Sequence, residues 1–230
     1  MTCDSYIQGL KVRATRLDAC GAVDAGPCGF VVSKGFVSVA VSENTTDSTE
    51  ISQTLADGTR CYYTETQPLL NNLSVNVEFC QVDPELFELT TGSPLVLDDA
   101  VTPAAIGFTT DEATYASANF ALEVWTALSQ GTCPVGTGRR WGYYLLPWLV
   151  QGTVSKPTFE NGSVNFSVMG AKTKTPNQWG VGPYNIQLDS AGTPSPLFLP
   201  LSTTAHDLLY KVNLAPPTEL CGCQELIPVS

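Results

Sequence analysis

At 230 residues and 24.5 kDa, with 43% apolar and only 14% charged residues, the chain can bury a full core but draws much of its polar surface from Thr, Ser, Asn, Gln and Gly. Its formal charge of −11 is concentrated: between Glu43 and Glu123 lie fourteen acids against Arg60 alone, and a segment of that sign repels phosphate, which argues against direct nucleic-acid binding. A single histidine, His206, removes most hydrolytic triads and most zinc enzymes.

Taken in chain order, the dominant period is two. Leu10, Val12 and Ala14 alternate with Lys11, Arg13 and Thr15, which predicts a strand over about 5–16 with one basic face. Val37, Val39 and Val41 alternate with Ser38, Ala40 and Ser42 in a second strand. Glu43 to Glu50 contains no apolar residue and reads as a long loop. A hairpin follows, with Asp57-Gly58 between Ile51–Leu55 and Arg60–Thr64, the Asp-Gly pair supplying positive φ angles for a tight turn. Val75, Val77 and Phe79 alternate with Ser74, Asn76 and Glu78 in the clearest strand of all.

Asp83-Pro84-Glu85 opens a helix of about 83–92: Asp as N-cap, Pro at the first helical position, Glu at the positive end of the dipole, and Gly92 as terminator. Leu86, Phe87 and Leu89 form its buried side. After an acidic, Thr-rich loop, Asn119–Leu128 and Gly142–Val150 read as strands on either side of a Gly-rich connection. Asn161-Gly162 then marks a hairpin tip, beyond which Val164, Phe166 and Val168 alternate with Ser163, Asn165 and Ser167. Beyond Pro183 the periodicity dissolves into a Pro-rich stretch. This divides the chain into a β domain over 1–184 and an extended C-terminal arm over 185–230, with a strand near Leu208–Leu214. Met1–Ala14 has no continuous apolar run, so no signal peptide is expected. The longest apolar run, Tyr143–Val150, is too short to cross a bilayer.

Chemical candidates are few. Asp98-Asp99 and Asp111-Glu112 are the best carboxylate pairs, but adjacent acids on a strand point to opposite faces and neither pair sits in a metal loop, so solvated loop charge explains them better. Gly136-Thr137-Gly138-Arg139-Arg140 has the look of an anion loop without the helix that would supply its N-terminus. Trp125, Trp141, Trp148 and Trp179 fit core or interface anchors better than a sugar platform. The eight cysteines include no Cys-x-x-Cys, and small buried thiols fit better than disulfides or a structural metal. No catalytic residue, cofactor or metal is expected.

The order of elements resembles the major tail proteins of siphophages, particularly those infecting actinobacteria. The resemblance is carried by Cys3-Asp4-Ser5-Tyr6-Ile7, Val75-Asn76-Val77-Glu78-Phe79-Cys80-Gln81-Val82-Asp83-Pro84-Glu85-Leu86 and Phe120-Ala121-Leu122-Glu123-Val124-Trp125-Thr126. It continues through Trp141-Gly142-Tyr143-Tyr144-Leu145-Leu146-Pro147-Trp148, Trp179-Gly180-Val181-Gly182-Pro183-Tyr184 and Cys221-Gly222-Cys223. It implies a mainly β fold, a tail-tube-type β-sandwich or partial barrel with one flanking helix and extended N- and C-terminal arms. It also implies hexameric rings stacked into a hollow tube of the virion tail, assembled in the host bacterial cytoplasm. Tape-measure, terminator and baseplate proteins would be its partners, and DNA would pass through the lumen without specific binding.

On that reading Ser74, Asn76, Glu78, Ser163, Asn165 and Ser167 face the channel, and Glu43, Asp47 and Glu50 sit in an inter-ring loop. Closing the sheet with neighbouring copies would remove its unpaired edges. The alternatives are another virion structural protein (tail terminator, minor tail or decoration protein) or a carbohydrate- or calcium-binding β-sandwich.

Overall fold

The computed structural model describes residues 5–110, 118–129, 141–155 and 164–229. The first strands are β1 (Tyr6–Arg16), β2 (Gly26–Ser33), β3 (Phe36–Thr45), β4 (Glu50–Thr54), β5 (Arg60–Glu65) and β6 (Leu70–Phe79). Helix α1 (Pro84–Thr91) is followed by β7 (Leu95–Leu97), β8 (Ala105–Phe108), β9 (Asn119–Leu128) and β10 (Trp141–Val150). The remainder comprises β11 (Thr153–Val154), β12 (Phe166–Thr173), β13 (Gln187–Leu188), β14 (Pro194–Ser195), β15 (Leu208–Val212) and β16 (Leu220–Leu226). Ten strands form one sheet whose main path runs β16-β2-β1-β9-β10-β12-β6-β3, giving the mainly β fold with one short helix that the alternation predicts.

The sheet branches inside β10. Its first half, Trp141–Leu145, pairs with β9 on one side and β15 on the other, whereas Leu149 and Val150 pair with β12. The ladder with β9 slips between Leu146 and Leu149, around Pro147, which has no N–H to donate. The branch lets β12, β6 and β3 turn over the inner face of β1 and β9. The first core fills the space between: Val12, Ala14 and Val31 on one wall, Val75, Val77, Phe79 and Val168 on the other.

Helix α1 closes this core, and its sequence signals act as expected. The Asp83 carboxylate accepts the N–H groups of Glu85 and Leu86, and Gly92 caps the last turn at φ +74°. Phe87 is fully buried, stacked on Phe108 with centroids 4.9 Å apart and edge-on to Phe79 and Phe166.

Strand β9 has no solvent face. Phe120, Leu122 and Val124 enter the first core, while Ala121 and Trp125 enter a second on the opposite side with Tyr143, Leu145, Trp148 and Val212. Trp179, Ile186 and Leu197 cover that second core. Of the arm expected over 185–230, the described residues 185–229 are therefore not extended as their prolines suggested. They fold back on their own chain, because the prolines separate apolar residues that find burial on β9 and β10, while β15 and β16 join the sheet.

Three local expectations also change. Glu43–Glu50 is not one loop: β3 runs on to Thr45, and only 46–49 separate it from β4. The ladder hydrogen bonds continue there, from Thr46 N–H to the Leu69 carbonyl and from Thr66 N–H to the Thr49 carbonyl, and backbone pairing needs no apolar side chain. At the hairpin tip only Gly58 has positive φ, and Asp57 instead accepts from the Thr59 N–H and hydroxyl. The acidic, Thr-rich loop contains the short β7–β8 hairpin, whose turn is held by the Asp98 carboxylate accepting from Ala100 and Ala104 N–H. The Asn161-Gly162 tip lies outside the described residues.

Because Phe87 joins three other aromatic rings at the closed end of the first core, Phe87→Ala is expected to lower unfolding free energy by about 3–5 kcal/mol in urea titration. A loss below about 1 kcal/mol would mean the helix is not a structural plug.

Candidate functional site

The features that point outward lie on β3, β6, β12 and the ribbon that extends them. From β3 through β6 the chain forms one long two-stranded ribbon, paired first as β3 with β6, then across 46–49 and 66–69, then as β4 with β5. Every residue of β4 is exposed, as are nearly all of β5. The ribbon carries large apolar side chains in solvent: Ile51 on β4 is 55% exposed, Tyr62 on β5 54% and Leu69 in the 66–69 link 69%. An isolated hairpin of this kind is marginal in water and stays folded best when something covers it.

Strand β3 is the end of the sheet path, so among the described residues one of its sides has no partner strand. Val39 and Val41 share the inward face with Val77 and Val75, their register partners, yet Val41 remains exposed, as does Val37. The outward face of the same strands is polar. Ser38, Ala40, Ser42 and Asn44 lie beside Glu78, Asn76, Ser74 and Asn72, with Ser167 and Lys172 across on β12.

Five of the six residues expected to line a channel fall on this face. Ser74, Asn76, Glu78, Asn165 and Ser167 are half-buried, and Ser163 lies outside the described residues. They are tied sideways to neighbouring strands: the Asn44 amide donates to the Ser74 hydroxyl (2.7 Å), the Gly170 N–H to Asn76 Oδ1 (2.8 Å), and the Asn165 amide to Glu78 Oε1 (2.8 Å). Of the three loop acids, Glu43 lies in β3 opposite Leu73, Asp47 lies in the 46–49 link, and Glu50 begins β4 directly opposite Glu65. Like charges at paired positions destabilise an isolated hairpin.

The basic face expected on β1 is not a surface. Arg13 is buried in register opposite Glu123 of β9, which has no exposed area. Arg13 Nε and Nη2 donate to the two Glu123 carboxylate oxygens at 2.5 and 2.7 Å, and the Tyr143 hydroxyl adds a third bond at 2.6 Å. The guanidinium lies over the Tyr184 ring, 3.3 Å from its centroid. Burial first, and then the Glu123 charge, hold the Tyr143 hydroxyl well above the usual tyrosine range, so it stays a donor. The cleft above Glu123, lined by Trp179, Val181, Gly182 and Tyr184, has essentially no volume open to a water-sized guest. This carboxylate is fully engaged in structure. An acid in the middle of the apolar run Phe120–Leu128 was its only sequence signal.

The remaining candidates resolve into structural roles. Thr173 accepts the Leu73 N–H and bonds His206 Nδ1 at 2.8 Å. Asp111-Glu112 and Gly136–Arg140 lie outside the described residues. Trp125, Trp148 and Trp179 are buried and Trp141 is half-buried, which leaves no tryptophan platform open to a sugar. The buried thiols expected for the cysteines are not found among the described residues: Cys28 and Cys223 form a disulfide between β2 and β16, Cys20, Cys61, Cys80 and Cys221 are exposed, and Cys3 and Cys133 lie outside the described residues. Glu85 lies within 4.8 Å of both bonded sulfurs, but sulfurs bonded to each other offer no thiolate to a metal. No protein-family model and no curated protein matches the chain.

If the Arg13–Glu123 pair is worth more as a pair than as its parts, Glu123→Ala should cost about 3–5 kcal/mol by leaving a buried guanidinium uncompensated, whereas the double variant Arg13→Met/Glu123→Leu should recover most of that loss. Chemical denaturation of the single and double variants measures both. Additive losses would show that the pair is not coupled.

Proposed function

We propose that this chain is a self-assembling structural subunit, and specifically a major tail-tube protein of a siphophage, stacked as rings into the hollow conduit for DNA ejection. The observation that carries the self-assembly is the ribbon at 46–69. It places Ile51, Leu55, Tyr62, Tyr63 and Leu69 in solvent on a hairpin with five acids and one base between Glu43 and Glu65. A surface this apolar on an element this thin is stabilised by contact with another molecule. The open side of β3 supports the same reading, because pairing between identical copies satisfies its backbone groups and covers Val37 and Val41.

The virion assignment rests on the sequence resemblance, which also supplies the hexameric ring and the tape-measure, terminator and baseplate partners. A wall made of the outward face of β3, β6 and β12 presents hydroxyls and amides, with one acid, Glu78, opposite Ser167 and one base, Lys172, opposite Ser74. Such a surface gives passing DNA neither a basic track nor strong repulsion. Among the described residues no helix is long and apolar enough to cross a membrane.

Negative-stain electron microscopy of the concentrated protein is expected to reveal hollow tubes. Thr45 and Leu70 are register partners, so replacing 46–69 by Asn-Gly closes a short hairpin there. The excised protein should fold with an unchanged β spectrum yet form no tubes. Tubes of normal length from it, or monodisperse monomers from the parent at high concentration, would remove the proposal.

The outward face makes a second, separate demand. Glu78→Lys should still assemble, because Glu78 lies on the outward polar face and its side chain is held by a hydrogen bond from Asn165, but should slow DNA passage through reconstituted tails by adding a cation to the wall. Ejection at the parental rate would place Glu78 away from the conduit.

A further inference from the structure

Strand β16 is the other end of the sheet path, and it is poorly held by its ladder. It meets β2 at three register positions, Leu220 with Val32, Gln224 with Phe30 and Leu226 with Gly26, and the pairing slips on both sides of Gln224. At Gly222 the backbone turns to φ +78°, which carries two N–H groups toward the start of α1. Gly222 N–H donates to the Asp83 carboxylate and Cys223 N–H to the Glu85 carboxylate. The sulfur of Cys223 then joins Cys28 on β2.

Upstream the chain is firmly anchored only as far as Asn213, whose Oδ1 accepts the Leu188 N–H at 2.6 Å, one residue after the buried Val212. Between there and β16, Lys11 Nζ reaches the Pro217 carbonyl and Glu219 pairs with an exposed Lys34. An exposed pair of that kind contributes little. Downstream, Leu226 is buried against Gly29.

We propose that the Cys28–Cys223 bond is a redox latch on the last strand: closed, it seats β16 along β2, and open, it releases β16 and bares the β2 edge. This does not depend on the tube reading. The surroundings of the two sulfurs are chemically unequal. Arg16 Nη2 lies 3.9 Å from Cys28 Sγ while Arg16 Nε donates to the Cys28 carbonyl, and the Glu85 carboxylate lies within 4.8 Å of both sulfurs and accepts from Cys223 N–H.

Arg16, itself paired with Glu88, has its Nη2 beside the Cys28 sulfur, and on that geometry Cys28 is assigned as the attacking sulfur when the latch closes. With a low-molecular-weight disulfide such as oxidised glutathione as oxidant, the Cys28 thiolate bonds one glutathione sulfur and expels the other as a thiolate. Cys223, giving its proton to water or to Glu85, then attacks the Cys28 sulfur of the mixed disulfide and expels the second glutathione. Two protein thiols are oxidised, one disulfide is reduced, and the two protons end on the two glutathione thiols.

Hydrogen exchange followed by mass spectrometry tests the latch on the intact chain, with and without tris(2-carboxyethyl)phosphine. Reduction is expected to speed exchange about tenfold or more in peptides covering 220–226 and 26–33 while leaving 119–128 and 141–150 unchanged. Oxidised glutathione should restore the protection, and Cys28→Ser/Cys223→Ser should reproduce the reduced pattern under all conditions. Unchanged protection at 220–226 would overturn the proposal. So would loss of protection throughout the chain, since the bond would then be a global staple and not a local latch.

Discussion

A strand buried on both faces sets the terms for this molecule. Strand β9 separates two cores, so each of its side chains must suit one apolar interior or the other, and Glu123 can be there only because Arg13 and Tyr143 meet it. Slipping β1 by one residue against β9 would turn Val12 or Ala14 toward a buried carboxylate and leave both charges unpaired. The ion pair thereby selects one register among those that apolar alternation alone would tolerate. With β1 and β9 fixed, β10 follows, and the break at Pro147 decides where the sheet divides.

The division gives the two ends of the sheet different characters. Toward β3 the strands have one apolar face and one polar face, and the ribbon beyond Thr45 has no core beneath it. Toward β16 the sheet is finished by a short strand with an interrupted ladder, two hydrogen bonds to carboxylates at a helix N-terminus and a disulfide. One end is left open to association. The other is closed by covalent chemistry.

The excess of negative charge takes on a different meaning once these positions are known. Much of it is internal wiring: Glu123 pairs with Arg13, Glu88 with Arg16, Asp83 and Glu85 receive backbone N–H groups, and Asp57 and Asp98 hold turns. Of the acids left in solvent, Asp47, Glu50 and Glu65 lie on the ribbon, while Asp24, Asp99 and Glu225 are exposed elsewhere. Charge on the ribbon keeps an apolar hairpin in solution and, in the assembly proposed above, would bias which surface it meets.

What the sequence by itself determined was whatever depends on neighbours along the chain. The helix with its Asp83 cap and Gly92 stop, the alternation of Val75, Val77 and Phe79, and the bounds of β9 all follow from spacing of one to four residues. The polar face carrying Ser74, Asn76 and Glu78 was legible for the same reason, since a period of two assigns faces without knowing what covers them. Only the tertiary structure decided the fate of residues 185–229, because their apolar side chains have no period and declare themselves only against β9 and β10. It alone extended β3 past Glu43, where backbone pairing with distant residues requires no apolar signal. It alone joined Arg13 to Glu123 and Cys28 to Cys223, pairs far apart in the chain, whose partnership depends on a register that no local pattern encodes.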